Sequence, residues 1–249
     1  MATAILHTLR QGPAGTTLTA ANLAERVVLI RTSPLFSGLS QDQCEDVARQ
    51  ARPKAFARNE MLFMQGHPVH NLALIRSGSV KITQLGPNGN EVILWIYGVG
   101  NVAGGLSEPV SSHHRCSARA MEQSTALLWE YSVIQELMLK YPQIRKNISQ
   151  ILFSRLNELE ERFREVATEK VAKRVALALL RLLKHIGKKV HGGVEISLSR
   201  EELAQMTGTT LFTTSRLLSK WGEMGFVLPR RESVVVSDPY RLELVSDDL

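Results

Sequence analysis

The sequence predicts an α+β protein in which an antiparallel β sandwich or roll precedes a long amphipathic helix and a winged helix-turn-helix. Short apolar runs alternate with glycine-containing turns between residues 53 and 131. Apolar residues then recur at steps of four and three, and two further helical patterns meet at a glycine. The 249 residues are 44% hydrophobic and 22% charged, so the chain is long enough for such a core and too apolar to be disordered.

Charge and cysteine content narrow the function classes. Thirty Lys and Arg exceed 24 Asp and Glu, a net charge of +6 that favours a polyanionic partner. Cys44 and Cys116 are too few for a disulfide framework, a zinc ribbon or a four-cysteine iron–sulfur cluster. No run approaches the ~18 apolar residues of a membrane span, and the N-terminal residues lack the apolar region of a secretory signal. We therefore expect a cytoplasmic protein without a membrane partner.

The N-terminal half is interpreted as an extension followed by a β-rich domain. Residues 1–28 are expected to be a flexible extension, although residues 20–31 have a helical pattern. A serine-capped helix is predicted at 40–51, since apolar residues, Cys44 among them, recur there at helical spacing. Turn residues then separate five predicted strands, at 60–64, 72–75, 79–82, 92–97 and 126–129.

A long helix is predicted from residue 142 to residue 167. Pro142 suits its first turn, and ~1.5 Å per residue gives it a length of almost 40 Å. Its apolar residues follow a heptad spacing that favours packing against a partner helix in a parallel homodimer over packing on its own domain. This dimer seam consists of Leu152, Leu156, Leu159, Phe163 and Val166. A further helix at 171–186 and a hairpin at 188–196 follow.

A winged helix-turn-helix is predicted in the last quarter of the chain. Ser199 and Glu202 have the spacing of a capping box. Gly208 permits a tight turn into a second helix at about 210–224. A hairpin with a basic tip follows at 226–236 and forms the wing.

The second helix of such a unit enters the major groove of DNA, and wing arginines meet phosphates. The expected DNA contacts are therefore Thr209, Thr210, Leu211, Phe212, Ser215, Arg216, Lys220, Arg230 and Arg231. The alternative is a ligand-binding dimerisation module whose winged helix contacts protein and not DNA. No phosphate-binding glycine loop, nucleophile elbow or zinc-protease motif is present in the sequence, so an enzyme is not expected.

From about residue 35 to residue 244, these patterns resemble the CRP/FNR family of bacterial transcription regulators. The segments that carry the resemblance are 35–40, 65–66, 77–82, Pro142, 174–176, 198–204, 207–210 and 215–218. The resemblance implies a jelly-roll-like β roll of the cyclic-nucleotide-binding type at 29–141, a dimerisation helix at 142–167 and a winged-helix DNA-binding domain at 168–249. It also implies a homodimer on a palindromic operator in double-stranded DNA and, for an activator, a contact with RNA polymerase.

The same resemblance implies an unknown small-molecule effector in the roll. Its pocket would be formed by Gly104, Gly105, Leu106, Arg115, Cys116, Ser117, Leu159 and Glu160. Cyclic AMP is not the expected effector, because Gly105 stands where cyclic-nucleotide members carry a ribose-binding glutamate. Leu159 and Glu160 are also poor hydrogen-bond partners for adenine and a phosphodiester.

Two other chemistries are weighed for the effector region. The histidines at 67, 70, 113 and 114 are interpreted as solvent-exposed side chains in preference to ligands of haem or a metal. No metal site is predicted. Arg115 would lower the pKa of the Cys116 thiol, but a packed thiol is favoured over a redox sensor.

Overall fold

The computed structural model describes residues 19–106 and 113–245. It begins with helix α1 (Ala20–Thr32), whose N-terminus is capped by the Thr19 side chain. Val27, Leu29 and Ile30 of α1 are buried in the core of the N-terminal domain. The expected boundary at residue 28 therefore falls inside a packed helix, and residues 20–28 are not a flexible extension. The remainder of that predicted extension, residues 1–18, lies outside the described residues.

A short 3-10 turn (Pro34–Phe36) and helix α2 (Gln41–Arg49) follow α1. These three helical elements are called the helical lid of the N-terminal domain below. Ser40 and Gln43 form a capping box at the start of α2, as the serine cap in the sequence predicts. The lid is fixed to the sheet beneath it because the indole N–H of the fully buried Trp129 donates to the Val47 carbonyl at 2.9 Å.

Eight strands form two antiparallel four-stranded sheets of the roll type. The strands are β1 (Arg52–Phe56), β2 (Met61–Phe63), β3 (Asn71–Ser77), β4 (Val80–Leu85), β5 (Glu91–Tyr97), β6 (Val102–Ala103), β7 (Ser117–Ala120) and β8 (Ser124–Glu130). Their order is β1-β8-β3-β6 in one sheet and β2-β7-β4-β5 in the other. The five predicted strands are all present. The missed strands, β1, β6 and β7, are short or built from charged and small residues, so they lack an apolar alternation.

Two helices connect the roll to the C-terminal domain. They are α3 (Tyr131–Lys140) and the 27-residue α4 (Pro142–Thr168). The first turns of α4 are fixed on the roll, since the buried Asn147 amide donates to the carbonyls of Leu35 and Ser37 at 2.9 and 2.8 Å. Residues 169–170 have extended backbone and separate α4 from α5 (Val171–Ile186).

The C-terminal domain has the predicted winged helix-turn-helix order. Its elements are β9 (Lys188–Val190), β10 (Gly193–Ile196), α6 (Arg200–Thr207), α7 (Leu211–Glu223), β11 (Val227–Pro229), β12 (Val234–Val236) and α8 (Pro239–Glu243). The four strands form one antiparallel sheet in the order β11-β12-β10-β9. Helix α8 was not predicted, because five residues are too few to show a helical period.

The C-terminal domain is packed directly on the roll. Ile93 and Ile96 of β5 belong to the same apolar core as Trp221 of α7. A mostly buried ion pair joins Lys81 of β4 to Glu202 of α6 at 3.1 Å. The N-terminal and C-terminal domains therefore share an interface with both apolar and charged contacts. Within the described residues, no helix is long and apolar enough to cross a membrane.

Candidate nucleic-acid interface and effector cavity

Local capping contacts set the geometry of the two helices in the helix-turn-helix. The Ser199 hydroxyl accepts from the Glu202 amide at 3.1 Å, and the Glu202 carboxylate accepts from the Ser199 amide at 2.9 Å. Helix α6 ends at Gly208, whose φ of +62° is left-handed and favours glycine. The Thr210 side chain then accepts from the Thr213 amide at 3.1 Å and caps α7.

Helix α7 divides into a buried face and an exposed face, as its spacing predicts. Its buried residues, Thr214, Leu217, Leu218 and Trp221, lie on the core of the domain. At its N-terminal half, Leu211 is 51% exposed, Phe212 is 76% exposed, and Arg216 is also exposed. Ser215 is half-buried beside them. The N-terminal half of α7 thus presents apolar, hydroxyl and guanidinium groups at the protein surface.

The other expected DNA contacts lie around this helix. Thr210 and Lys220 are exposed at the two ends of α7, and Thr209 is half-buried in the turn. Arg230 and Arg231 are exposed at the tip of the wing. The Arg230 guanidinium also donates to Glu195 at 2.8 Å, which links the tip to β10.

Helix α4 exposes the apolar residues that were assigned to the dimer seam. Leu152, Leu156, Phe163 and Val166 are 42–77% exposed in the single chain, and Leu159 is half-buried. Phe153, which was not assigned to the seam, is 65% exposed beside it. An apolar stripe of this length on one helix favours a second helix as its partner.

The residues that the resemblance assigns to the effector pocket are not among those that line the cavity between β5, α4 and α5, which is described below. Gly104 and Gly105 have positive φ angles of 73° and 60°, and a Cβ at Gly105 would lie 3.1 Å from the Leu72 side chain. Leu106 is buried in the core under the helical lid. Leu159 and Glu160 are likewise absent from the cavity wall.

The second half of the expected pocket is also used differently. Arg115 is exposed, and the Ser117 hydroxyl accepts from the Gln65 amide at 3.0 Å. Cys116 packs against the core between the two sheets, and burial raises the pKa of its thiol. The expected lowering of this pKa by Arg115 is therefore wrong, because burial favours the neutral thiol.

A cavity of about 340 Å³ lies instead between β5, α4 and α5. Trp95 and Tyr97 of β5 form one wall, with ring centroids 6.5 Å apart. Arg155 of α4 lies 4.9 Å from the Tyr97 ring centroid and donates to the Val102 carbonyl at 2.9 Å. Burial raises the pKa of the Tyr97 hydroxyl, so this group stays protonated.

Two arginines beside the cavity join the domains, and one of them, Arg181, lines it. Arg162 of α4 donates to the carbonyls of Ile93 and Leu94 in β5 and to that of Met206 in α6. Arg181 of α5 forms a bidentate pair with Glu165 of α4, at 2.6 and 3.0 Å. Burial lowers the pKa of the Arg162 guanidinium, and the nearby charge of Arg181 lowers it further.

These cavity residues were missed by the sequence analysis, yet α4 carries a signal for them. Arg155 and Arg162 are seven residues apart, and so are Glu158 and Glu165. Residues seven apart share one helix face. The repeated arginine–glutamate pairs therefore mark a second, charged face of α4, next to the apolar seam.

A buried histidine lies in the roll. The His114 ring stacks on Phe63 with centroids 4.0 Å apart, and burial lowers its pKa to about 4, with smaller contributions from His70 and His67. His114 is therefore neutral at physiological pH. No group of three metal-ligating side chains occurs among residues 19–106 and 113–245.

Comparison with known proteins gives two family matches. The family profile of the cyclic nucleotide-binding domain matches residues 53–141, and that of the Crp-like helix-turn-helix domain matches residues 173–245. The chain is 26% identical over 216 residues to the CRP-like cAMP-activated global transcriptional regulator of Mycobacterium tuberculosis, covering 86% of this chain and 96% of the relative. It is 27% identical over 217 residues to the cyclic AMP receptor protein of Thermus thermophilus, covering 87% of this chain and 98% of the relative. Its fold is similar to that of FixK2 from Bradyrhizobium japonicum, with a TM-score of 0.70 and 21% identity. The likeness covers 80% of this chain and 98% of FixK2.

Proposed function

The chain belongs to the CRP/FNR family of transcription regulators, and we propose that it binds a palindromic operator as a homodimer under the control of a small-molecule effector. The domains proposed for these roles are the sensing domain up to residue 141, the dimerisation helix at 142–167 and the DNA-binding domain from 168. We further propose a contact with RNA polymerase when the protein activates transcription, and a cytoplasmic location.

The exposed N-terminal half of α7 is the observation that carries this proposal. A capped helix that exposes Leu211, Phe212 and Arg216 in its N-terminal half has the form of a major-groove reader. An arginine can hold guanine O6 and N7 together, a contact worth ~1–3 kcal/mol of discrimination between bases. Arg230, Arg231 and Lys220 would add phosphate contacts that carry no sequence information.

Phe212 gives this reader a distinctive chemistry. Its ring is 76% exposed at a position where the family usually has a glutamate that accepts a hydrogen bond from cytosine. A phenyl ring cannot accept that bond, but it can contact the methyl group of thymine. The operator half-site is therefore proposed to carry thymine at the base pair that faces Phe212.

The symmetry of the reader follows from α4. A parallel seam along its exposed apolar stripe would relate two α7 helices by a two-fold axis. Two such helices read half-sites about one helical turn, ~34 Å, apart. The operator should therefore be palindromic.

The test is selection of bound sequences from a random duplex pool, with binding of the selected duplex then measured at several salt concentrations. The wild type should select a palindrome. Arg216→Ala should lose sequence preference but keep weak, salt-sensitive binding, because phosphate contacts release counterions. Glu223→Ala, an exposed change near the other end of α7, is the matched control and should keep the preference. Failure of the wild type to enrich any sequence would refute the proposal.

A further inference from the structure

The turn between α6 and α7 is held from outside by two arginines. The last carbonyls of a helix have no partner within the helix, so they bind other donors or water. At the end of α6, the Met206 carbonyl accepts from Arg162 at 3.2 Å. The next two carbonyls, those of Thr207 and Gly208, accept from Arg174 at 3.3 and 3.4 Å. Three consecutive carbonyls before α7 are therefore bound by side chains of other helices.

Arg162 connects this turn to α4. Its guanidinium also donates to the carbonyls of Ile93 and Leu94 in β5. The guanidinium is planar and carries its donors in a fixed fork, so partners in both α6 and β5 leave it little freedom to reorient. The Met206 carbonyl is thereby held at a defined position relative to α4.

Arg174 connects the same turn to the end of α4. It lies in the first turn of α5 and donates to the Glu169 carbonyl at 3.2 Å. Glu169 is the C-terminal cap of α4. The free carbonyls at a helix C-terminus carry partial negative charge and favour a cation there. The Arg174 guanidinium therefore lies at the C-terminal ends of α4 and α6 together.

The position of this turn decides where α7 lies in a dimer. Helix α7 begins at Leu211, three residues after Gly208. If two α4 helices pack along a two-fold axis, the separation of the two α7 helices depends on how each is held relative to its own α4. One added base pair moves a half-site by ~3.4 Å along the duplex and turns it by ~34° about the duplex axis. A rigidly held pair of α7 helices cannot follow that change.

From these contacts we infer that Arg162 and Arg174 are positioning residues that set the spacing between the two half-sites of the operator. They act through the turn between α6 and α7, and neither is among the expected DNA contacts. The inference rests on the proposed function, because it requires a dimer that reads two half-sites.

The experiment measures binding of the full-length protein to labelled duplexes by fluorescence anisotropy at one salt concentration. The duplexes are the palindrome selected by the wild type, the same palindrome with one base pair removed or added between its half-sites, and a single half-site. The wild type should bind the altered spacings at least about tenfold more weakly, because both half-sites cannot be engaged together. In Arg162→Met and in Arg174→Met this ratio should fall to about threefold or less, because methionine cannot donate to the carbonyls.

A merely structural role would give a different result. A smaller folded fraction weakens binding to every duplex by the same factor and leaves the ratio between spacings unchanged. Both variants should also keep the wild-type affinity for the single half-site, since Phe212 and Arg216 are intact. The pair between Arg181 and Glu165 still joins α5 to α4 in these variants. The thermal midpoint of each variant measures whether it is folded.

Lys173→Met is the matched control. Lys173 precedes Arg174 in α5 and donates to the Glu243 carbonyl of α8 at 2.7 Å. Its substitution removes a cation and a bond to a carbonyl, but that carbonyl lies outside the turn between α6 and α7. Lys173→Met should therefore keep the wild-type ratio. Arg162→Lys and Arg174→Lys retain a charged donor without the planar fork, so their ratios should lie between those of the wild type and the methionine variants.

Three outcomes would overturn the inference. They are equal binding of all spacings by the wild type, equal effects of Lys173→Met and Arg174→Met, and a wild-type ratio in the methionine variant of either arginine. Where a methionine variant does not fold, the lysine variant of the same arginine takes its place in this comparison. A wild type that selects no sequence would refute the proposed function itself, whereas a selected palindrome with unchanged ratios in the variants refutes only the role of the two arginines.

Discussion

Leu156→Glu tests whether α4 holds the dimer. Leu156 lies in the middle of the apolar stripe on α4 and is 52% exposed in the single chain. In a parallel two-fold dimer a seam residue meets its own symmetry mate, so one substitution removes two apolar side chains and places two carboxylates face to face.

The size of the effect follows from this exposure. Burying a whole leucine side chain contributes ~1.5–3 kcal/mol. Burying the half of Leu156 that is exposed in the single chain would therefore stabilise the dimer by ~0.8–1.5 kcal/mol. Two copies give ~1.5–3 kcal/mol per dimer, or about 10–150-fold in the dissociation constant. Repulsion between the facing glutamates adds to this loss.

Sedimentation velocity over a dilution series measures the dissociation constant. Leu139→Glu is the matched control, because Leu139 is 73% exposed on α3 and outside the seam. We expect Leu156→Glu to be monomeric at concentrations where the wild type and Leu139→Glu are dimeric. A Leu156→Glu protein that dimerises like the wild type would refute the seam, and so would equal weakening by both substitutions.

Three further predictions follow from single side chains. Phe212→Ala should abolish the thymine preference at one base pair of the half-site, measured by sequence selection, because the ring that contacts the methyl group is gone. Arg162→Met should destabilise the docked domains by ~1.5–3 kcal/mol in urea unfolding, since the Ile93 and Met206 carbonyls lose a charged donor. His114→Phe should remove a pH dependence of stability. Burial holds the folded-state pKa of His114 at about 4, below its ordinary 6.5, so the unfolded chain binds more protons between these values. The free energy of unfolding of the wild type should therefore fall by up to ~3 kcal/mol from pH 6.5 to pH 4.

Each of the three substitutions has a result that would contradict it, and two of them have a matched control. Glu223→Ala is expected to keep the thymine preference that Phe212→Ala loses, and an unchanged half-site in Phe212→Ala would show that the ring reads nothing. For Arg162→Met the control is Arg164→Met, an exposed residue on the same helix, and equal stability of the two proteins would contradict the bridging role. A His114→Phe protein with the wild-type pH profile would assign the acid sensitivity to other groups.

The parts of this protein that could be predicted from its sequence depend on contacts within a few residues. The capping box at Ser199 and Glu202 joins residues three apart, and Gly208 acts through its own backbone. The exposed face of α7 and the heptad stripe of α4 also follow from helical spacing alone. These elements include the expected DNA contacts on α7 and the proposed dimer seam, so the regulatory function could be predicted from the sequence.

Local patterns failed where apolar periodicity is weak or absent. The strand β7 is built from serine, alanine and arginine, and its place is decided by pairing with β2 and β4. The helix at 20–31 was predicted, but its burial of Val27 against the sheet was not, so the boundary of the extension was placed too late.

The cavity between β5, α4 and α5 was decided only by the tertiary structure. Trp95, Arg155 and Arg181 come from three separate elements and meet because the C-terminal domain packs on β5. The resemblance implies an effector pocket at Gly105 and Cys116, and the packing of these residues against Leu72 and the core between the sheets could not be predicted from the sequence. A helix or a cap is specified by neighbours along the chain, whereas a cavity is the space left between distant side chains, which only their packing determines.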